Sequence, residues 1–219
     1  MAQMFEPGYV YIIDDDEGLR ESLESLVRSV GDEARVYGSV AEFLAGERPE
    51  GASCLLLDVR LPGTNGLDFQ ESLHRRGIFM PVILMTGFGD IEMSVRGMKA
   101  GAVDFLTKPF RQQDVLHAVA TALAKDRARR LQSEELAAIQ HRFDSLTPRE
   151  RQVIDLVIAG KMNKQTAAEL GLSEITVKIH RGAAMKKMQA NSLPDLVRMD
   201  QTLRTASQSI GSSTRTKTR

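Results

Sequence analysis

The sequence predicts a doubly wound α/β domain built on a five-stranded parallel sheet, followed by a smaller all-α domain. Three observations carry that prediction. Short apolar runs rich in β-branched residues alternate with helix-length patterns over the first 124 residues, and beyond them only helical patterns follow. Charge divides at the same place. Residues 1–124 hold 11 Lys and Arg against 19 Asp and Glu, a balance of −8, whereas residues 125–219 hold 18 against 10, a balance of +8. An acidic front and a basic back suit two domains with different partners, the second seeking a polyanion.

The five runs are "YVYII" (9–13), "ARVY" (34–37), "CLLL" (54–57), "PVILM" (81–85) and "VDFL" (103–106). Three are apolar throughout and the other two carry a single charge each, Arg35 and Asp104; such runs, rather than alternating ones, suit strands buried on both faces of a parallel sheet. Helical patterns fill the gaps near 18–30, 40–46, 66–76, 90–100 and 112–124, and right-handed crossovers are expected between the strands. Residues 112–143 contain no Gly or Pro and are rich in Ala, Leu, Glu, Gln and Arg, which predicts a long helix or a helix with one break. Leu116, Val119, Leu123, Leu136, Ile139 and Phe143 could form a coiled-coil seam there, but "KDRARR" interrupts it and an exposed spacer fits as well.

The second domain opens with a helix signal in "SLTPRERQVIDLVIAG": Thr147 as N-cap, Pro148 at the first helical position and Glu150 at the third. Val153, Ile154, Leu156, Val157 and Ile158 supply its buried face, and Gly160 ends it. "NKQTAAELGLSEITVKIHRGAAMKKM" then reads as helix, tight turn, helix. Ala167 and Ala168 allow close crossing, Gly171 suits the turn, and Ser173 caps the second helix. On that helix Val177, Ala184, Met185 and Met188 share one side, while Lys178, Ile179, Gly182 and Lys186 share another. A basic stripe opposite an apolar one suits a helix laid in the DNA major groove. The resulting boundaries are 1–124 for the first domain, 125–142 for a helical linker, 143–203 for the helix-turn-helix domain and 204–219 for a Ser/Thr-rich disordered tail.

No apolar run approaches the roughly 18 residues of a membrane span. The start "MAQMFEPG" lacks the regions of a signal peptide, and the single Cys54 sits in an apolar run as a buried small hydrophobe, so a reducing cytoplasm is expected.

The polar residues at the strand ends point to chemistry. Asp14, Asp15 and Asp16 follow the first run, Asp58 the third, Thr86 the fourth and Lys108 the fifth. In a parallel sheet of flavodoxin-like order 2-1-3-4-5 these ends meet at one edge, where ligands bind. Helix capping accounts for acids after the first run but for none of the other positions, so a cation site is the better reading. An all-oxygen carboxylate shell suits Mg²⁺, and a lysine and a hydroxyl beside it suit a phosphoryl group. Asp58 is then a nucleophile that forms an acyl phosphate.

"IIDDDEGLRESL", "LLLDVRLPGTNGLDF", "ILMTGFGD" and "GAVDFLTKPF" together resemble the receiver domain of bacterial two-component response regulators. "LTPRERQV", "AGKMNKQTAAELGLSEITVKIHR" and "NSLPDLVRM" resemble the LuxR-type helix-turn-helix of the same regulators, nearest to the FixJ-like branch. The resemblance implies that Asp58 accepts phosphate from a sensor histidine kinase. It implies that Asp14, Asp15, Asp58 and the main-chain carbonyl of Arg60 hold Mg²⁺, with Asp16 outside the metal shell. Thr86 and Lys108, the latter before a cis bond to Pro109, would contact the phosphoryl group, and Phe105 would rotate inward with Thr86 as a switch.

A homodimer would then form through Val95 and Lys99. Lys178 and Ile179 would read bases of a double-stranded DNA operator, while Asn163, Lys164, Thr176 and Arg181 would contact or position phosphates. His180 is expected against the scaffold helix, and Gly182 replaces a long polar residue of relatives. Phe88, two residues beyond Thr86, is expected to shield the acyl phosphate from water. The chain is expected to assist its own phosphorylation and dephosphorylation without being a dedicated enzyme. A phosphatase would need a second acid two residues after Asp58, and position 60 is Arg.

Overall fold

The computed structural model describes residues 6–87 and 91–214, with the backbone alone at 91, 92, 94 and 207–214. The chain divides into two compact units, Met1–Leu131 and Gln132–Arg219. That division falls inside the 125–142 stretch read as a linker.

In the first unit the strands are β1 (Tyr9–Ile13), β2 (Glu33–Tyr37), β3 (Ser53–Asp58), β4 (Arg60–Leu61), β5 (Thr64–Asn65), β6 (Val82–Thr86) and β7 (Asp104–Thr107). The helices are α1 (Glu17–Ser29), α2 (Val40–Ala45), α3 (Gly66–Leu73), α4 (Ile91–Lys99) and α5 (Gln112–Asp144), with one 3₁₀ turn at His74–Arg76. Five strands form one parallel sheet in the order β2-β1-β3-β6-β7, which is 2-1-3-4-5 once the separate ribbon β4–β5 is set aside.

The register explains both the composition and the site. Ile13 pairs with Leu57, Asp58 with Met85 and Thr86 with Thr107, so the carboxyl ends of β1, β3, β6 and β7 lie along one edge. Successive strand residues feed opposite faces. Val10, Ile12, Cys54, Leu56, Ile83 and Met85 join α1 and α5 in one core, including Leu23, Val27, Val115 and Val119. Tyr11, Ile13, Leu55, Leu57 and Leu84 join Phe43, Leu67, Phe69 and Leu73 from α2 and α3 in the other. With both faces covered, no position on β3 is free to be polar except at its ends, Ser53 and Asp58.

α5 runs unbroken to Asp144. The "KDRARR" stretch lies within it, and there Asp126 points inward. It is fully buried and accepts from the Ser53 N–H at 3.0 Å, from Arg129 Nε at 2.9 Å and from Arg130 Nε at 2.8 Å. Five of the six residues of the supposed coiled-coil seam are taken up by the separate cores, while Leu116 is half-buried and belongs to neither. Val119 and Leu123 pack in the first unit, Ile139 in the second with Leu136 and Phe143 against it.

The second unit comprises α6 (Pro148–Ile158), α7 (Asn163–Leu170), α8 (Glu174–Met188) and α9 (Leu193–Thr214), with the end of α5. The capping box forms, Glu150 N–H donating to Thr147 Oγ1 at 3.3 Å and Thr147 N–H to Glu150 Oε2 at 2.7 Å. Lys187 Nζ, from α8, donates to the same Oε2 at 2.7 Å. The Lys187 hydrogen bond, with the Thr147 N–H, holds the Glu150 carboxyl below its usual range. Gly171 adopts φ 64° at the end of α7, and Ser173 Oγ accepts from Thr176 N–H at 3.1 Å to start α8. Ala167 is buried as the close crossing requires, whereas Ala168 is exposed and takes no part in it. A second correction concerns the boundary at 203. α9 continues to Thr214, there being no proline after Pro194 to stop it, so residues 204–214 are helical and 215–219 lie outside the described residues.

Candidate functional site

Three of the predicted acids converge. Asp14, at the end of β1, and Asp58, at the end of β3, are buried, while Asp15 is exposed beside them, and each offers an oxygen within 4.8 Å of the others. Asp16 turns away from this group, and its carboxylate accepts from Leu19 N–H at 3.0 Å as the N-cap of α1. The run of three aspartates therefore divides its labour between site and cap.

Lys108, from the end of β7, reaches the cluster. Its Nζ lies 2.6 Å from Asp14 Oδ2 and 2.8 Å from Asp58 Oδ2. Adjacent carboxylates repel, and this ammonium is the cation that offsets them. Burial lifts the Asp14 carboxyl above its usual range, against the lowering pull of Lys108. Burial also works against the charge on Lys108, but its hydrogen bonds to Asp14 and Asp58 prevail and raise its pKa. The peptide bond from Lys108 to Pro109 is cis.

Backbone contacts hold the carboxylates in place. Asp14 Oδ1 accepts from Asp16 N–H at 3.0 Å, and Asp58 Oδ1 accepts from Arg60 N–H at 3.0 Å. Arg20 Nη1 donates to the Asp14 carbonyl at 2.7 Å, a contact that sequence reading missed because nothing in "GLRESL" marks one surface arginine from another. Gly66 starts α3 so close to β3 that an added Cβ would lie 2.2 Å from the Asp58 carbonyl oxygen.

Thr86 is fully buried at the end of β6, and its carbonyl accepts from Lys108 N–H at 2.6 Å. Phe105, on β7, is half-buried and packs against the core that holds Leu84 and Ala102. Val95 and Lys99 stand one turn apart on α4, both exposed. Phe88 lies outside the described residues.

In the second unit Lys178, Ile179, Gly182 and Lys186 all lie on the exposed side of α8, and Val177, Ala184 and Met188 on the buried one. Arg181 Nη1 donates to Asn163 Oδ1 at 3.4 Å, joining the start of α7 to the middle of α8. Lys164 is exposed, Thr176 is half-buried with its hydroxyl 2.8 Å from Ser173 Oγ, and His180 is half-buried.

A five-stranded sheet carrying an acidic edge bridged by lysine, followed by a helix-turn-helix, defines a class: a signal-receiving module joined to a DNA-binding one. Comparison with known families agrees. Residues 10–120 match the response regulator receiver domain, and residues 144–200 match the bacterial regulatory proteins of the luxR family. Nodulation protein W of Bradyrhizobium diazoefficiens is 55% identical over 194 residues, covering 89% of this chain and 86% of that protein. Transcriptional regulatory protein FixJ of Azorhizobium caulinodans is 42% identical over 190 residues, covering 87% and 90%. Among solved structures, the response regulator StyR has a TM-score of 0.81 at 43% identity, covering 89% of this chain and 98% of that one. Full-length FixJ from B. japonicum has a TM-score of 0.55 at 36% identity, covering 90% and 98%. The chain belongs to the two-component response regulators with a LuxR-type DNA-binding domain, and controls transcription. No helix among the described residues is long and apolar enough to cross a membrane.

Proposed function

We propose that Asp58 accepts a phosphoryl group from a sensor histidine kinase and that the phosphorylated chain dimerises and binds a double-stranded DNA operator in the cytoplasm, activating transcription. The observation that carries this reading is the Lys108 ammonium shared between Asp14 and Asp58 at one sheet edge. An Asp58 oxygen forms a bond to phosphorus as the phosphorus–nitrogen bond of the kinase phosphohistidine breaks; the released imidazole keeps the electron pair and takes up a proton.

Asp14, Asp15 and Asp58, with the Arg60 carbonyl, are the residues to hold Mg²⁺. The fit rests on an all-oxygen cluster that already draws in one cation. When bound, the metal screens charge on the phosphoryl oxygens. Lys108 pairs with the transferred group, the Thr86 hydroxyl hydrogen-bonds to it, and Phe105 follows Thr86 inward. Val95 and Lys99 then contribute to the dimer face on α4. A modest minor population of the active form suffices, provided phosphate binds it much better. The same residues assist hydrolysis of the acyl phosphate.

In the second unit Lys178 and Ile179 read base edges while Asn163, Lys164, Thr176 and Arg181 contact or orient phosphates. Gel shift with and without acetyl phosphate, on wild type and Asp58→Asn, tests the whole reading. Retardation that rises with the donor in wild type alone is expected. Retardation indifferent to both would contradict the coupling.

A further inference from the structure

The outer stripe of α8 carries more than lysines. Among the described residues of the second unit, Ile175 and Ile179 are 72% and 64% exposed. They stand one turn apart, and Lys178 and Lys186 flank them on the same exposed side. One turn further, Gly182 leaves open space, with nothing within 4 Å of an added Cβ. The one acid of α8, Glu174, lies in its first turn, where the helix dipole accounts for it.

We propose that Ile175 and Ile179 read thymine, each packing its side chain on the 5-methyl group of a base in the major groove. The inference rests on the DNA-binding reading above and deepens it by naming the bases sought. Two strongly exposed isoleucines cost solvation unless something covers them, and the covering surface must also accept the adjacent ammonium groups. A protein surface apolar enough for the isoleucines would bury Lys178 without a partner. Duplex DNA offers both at once, methyl groups on the groove floor and phosphates along its walls. Four residues of helix rise about 6 Å, and base pairs stack about 3.4 Å apart, so the two methyl groups belong within about two base steps of one another. The gap at Gly182 lets the helix lie close enough for such short-range contact.

The test uses the full-length protein phosphorylated with acetyl phosphate in the presence of Mg²⁺, the state in which the reading above has it bind DNA. Duplexes enriched from a randomised pool define its preferred site, and each thymine is then replaced by deoxyuridine, which lacks only the methyl group. Two positions are expected at which this weakens binding about fourfold, the factor for one buried methyl-sized group. In Ile175→Ala the penalty should vanish at one of them and persist at the other, with Ile179→Ala giving the converse. Both residues are exposed, so neither change threatens the fold. Binding indifferent to deoxyuridine, or penalties that survive both substitutions, would overturn the inference and leave DNA binding intact. Enrichment of no sequence at all would overturn the DNA-binding reading itself, and this inference with it.

Discussion

Replacing Asp126 by alanine isolates one buried contact and one probe. The carboxylate is fully buried and ties the Ser53 N–H, at the start of β3, to α5. Removing it orphans that N–H, which is itself buried, at a cost of about 1–3 kcal/mol. Arg129 and Arg130 are 41% and 34% exposed on their side chains, so both return to water and contribute little, about 0–1 kcal/mol each. Recovered hydration of the lost carboxylate works the other way. The net expectation is a loss of about 2 kcal/mol. Asp126→Asn keeps an acceptor oxygen for Ser53 and should cost about half as much.

The assay is simple because Tyr9, Tyr11 and Tyr37 are the only tyrosines and there is no tryptophan. All three lie in the first unit, so tyrosine fluorescence in urea reports that unit alone. With a urea dependence of about 1–3 kcal/mol per M, Asp126→Ala should lower the midpoint by about 1 M. A shift below about 0.3 M, or an Asn variant as damaged as the Ala variant, would refute the assignment of the loss to the Ser53 hydrogen bond.

Further expectations concern both units. Gly66→Ala must push the start of α3 off the Asp58 carbonyl, so it should destabilise the first unit by about 1–3 kcal/mol in the same urea assay and slow phosphorylation of Asp58. Mg²⁺ at about a hundred times its dissociation constant should stabilise the first unit by about 2.7 kcal/mol, read as a rise in thermal midpoint that Asp15→Asn removes or greatly reduces. The Glu150 carboxyl should titrate below 4.5 by carbon NMR, and Lys187→Met should bring it back toward that value. Because the folded pKa is depressed, this group stabilises the second unit above about pH 4.5 and loses that contribution as pH falls through the folded value. Protection factors of the α6 and α8 amides, taken relative to intrinsic exchange at each pH, should therefore fall on acidification in wild type, and less so in Glu150→Gln.

Much of the receiver was legible because two-sided burial writes itself into sequence. β3 reads as "SCLLLD" since both faces are covered and only its ends escape, which is why Asp58 stood out. Asp14 and Lys108 were found by the same argument, as polar residues at the ends of apolar runs. The ribbon of β4 and β5 left no trace, because two-residue strands have no period to detect. The division of labour between Asp14, Asp15 and Asp16 depends on where α1 begins, and one residue of helix start decides it. Asp126 was hidden for a different reason. A buried acid within a basic helical run has the sequence pattern of a solvated face, and only the partner 73 positions away distinguishes it. Ile175 escaped notice likewise, since a single apolar residue in a first turn is ordinary until its neighbours turn out to be exposed.

The proposed switch depends on phosphorus reaching Asp58. Full-length protein with Mg²⁺ and radiolabelled acetyl phosphate should acquire one label that hydroxylamine releases and that maps to Asp58, and Asp58→Asn should acquire none. Folded wild-type protein that takes up no label, or takes it up at another residue, would rule out Asp58 as the phosphate acceptor.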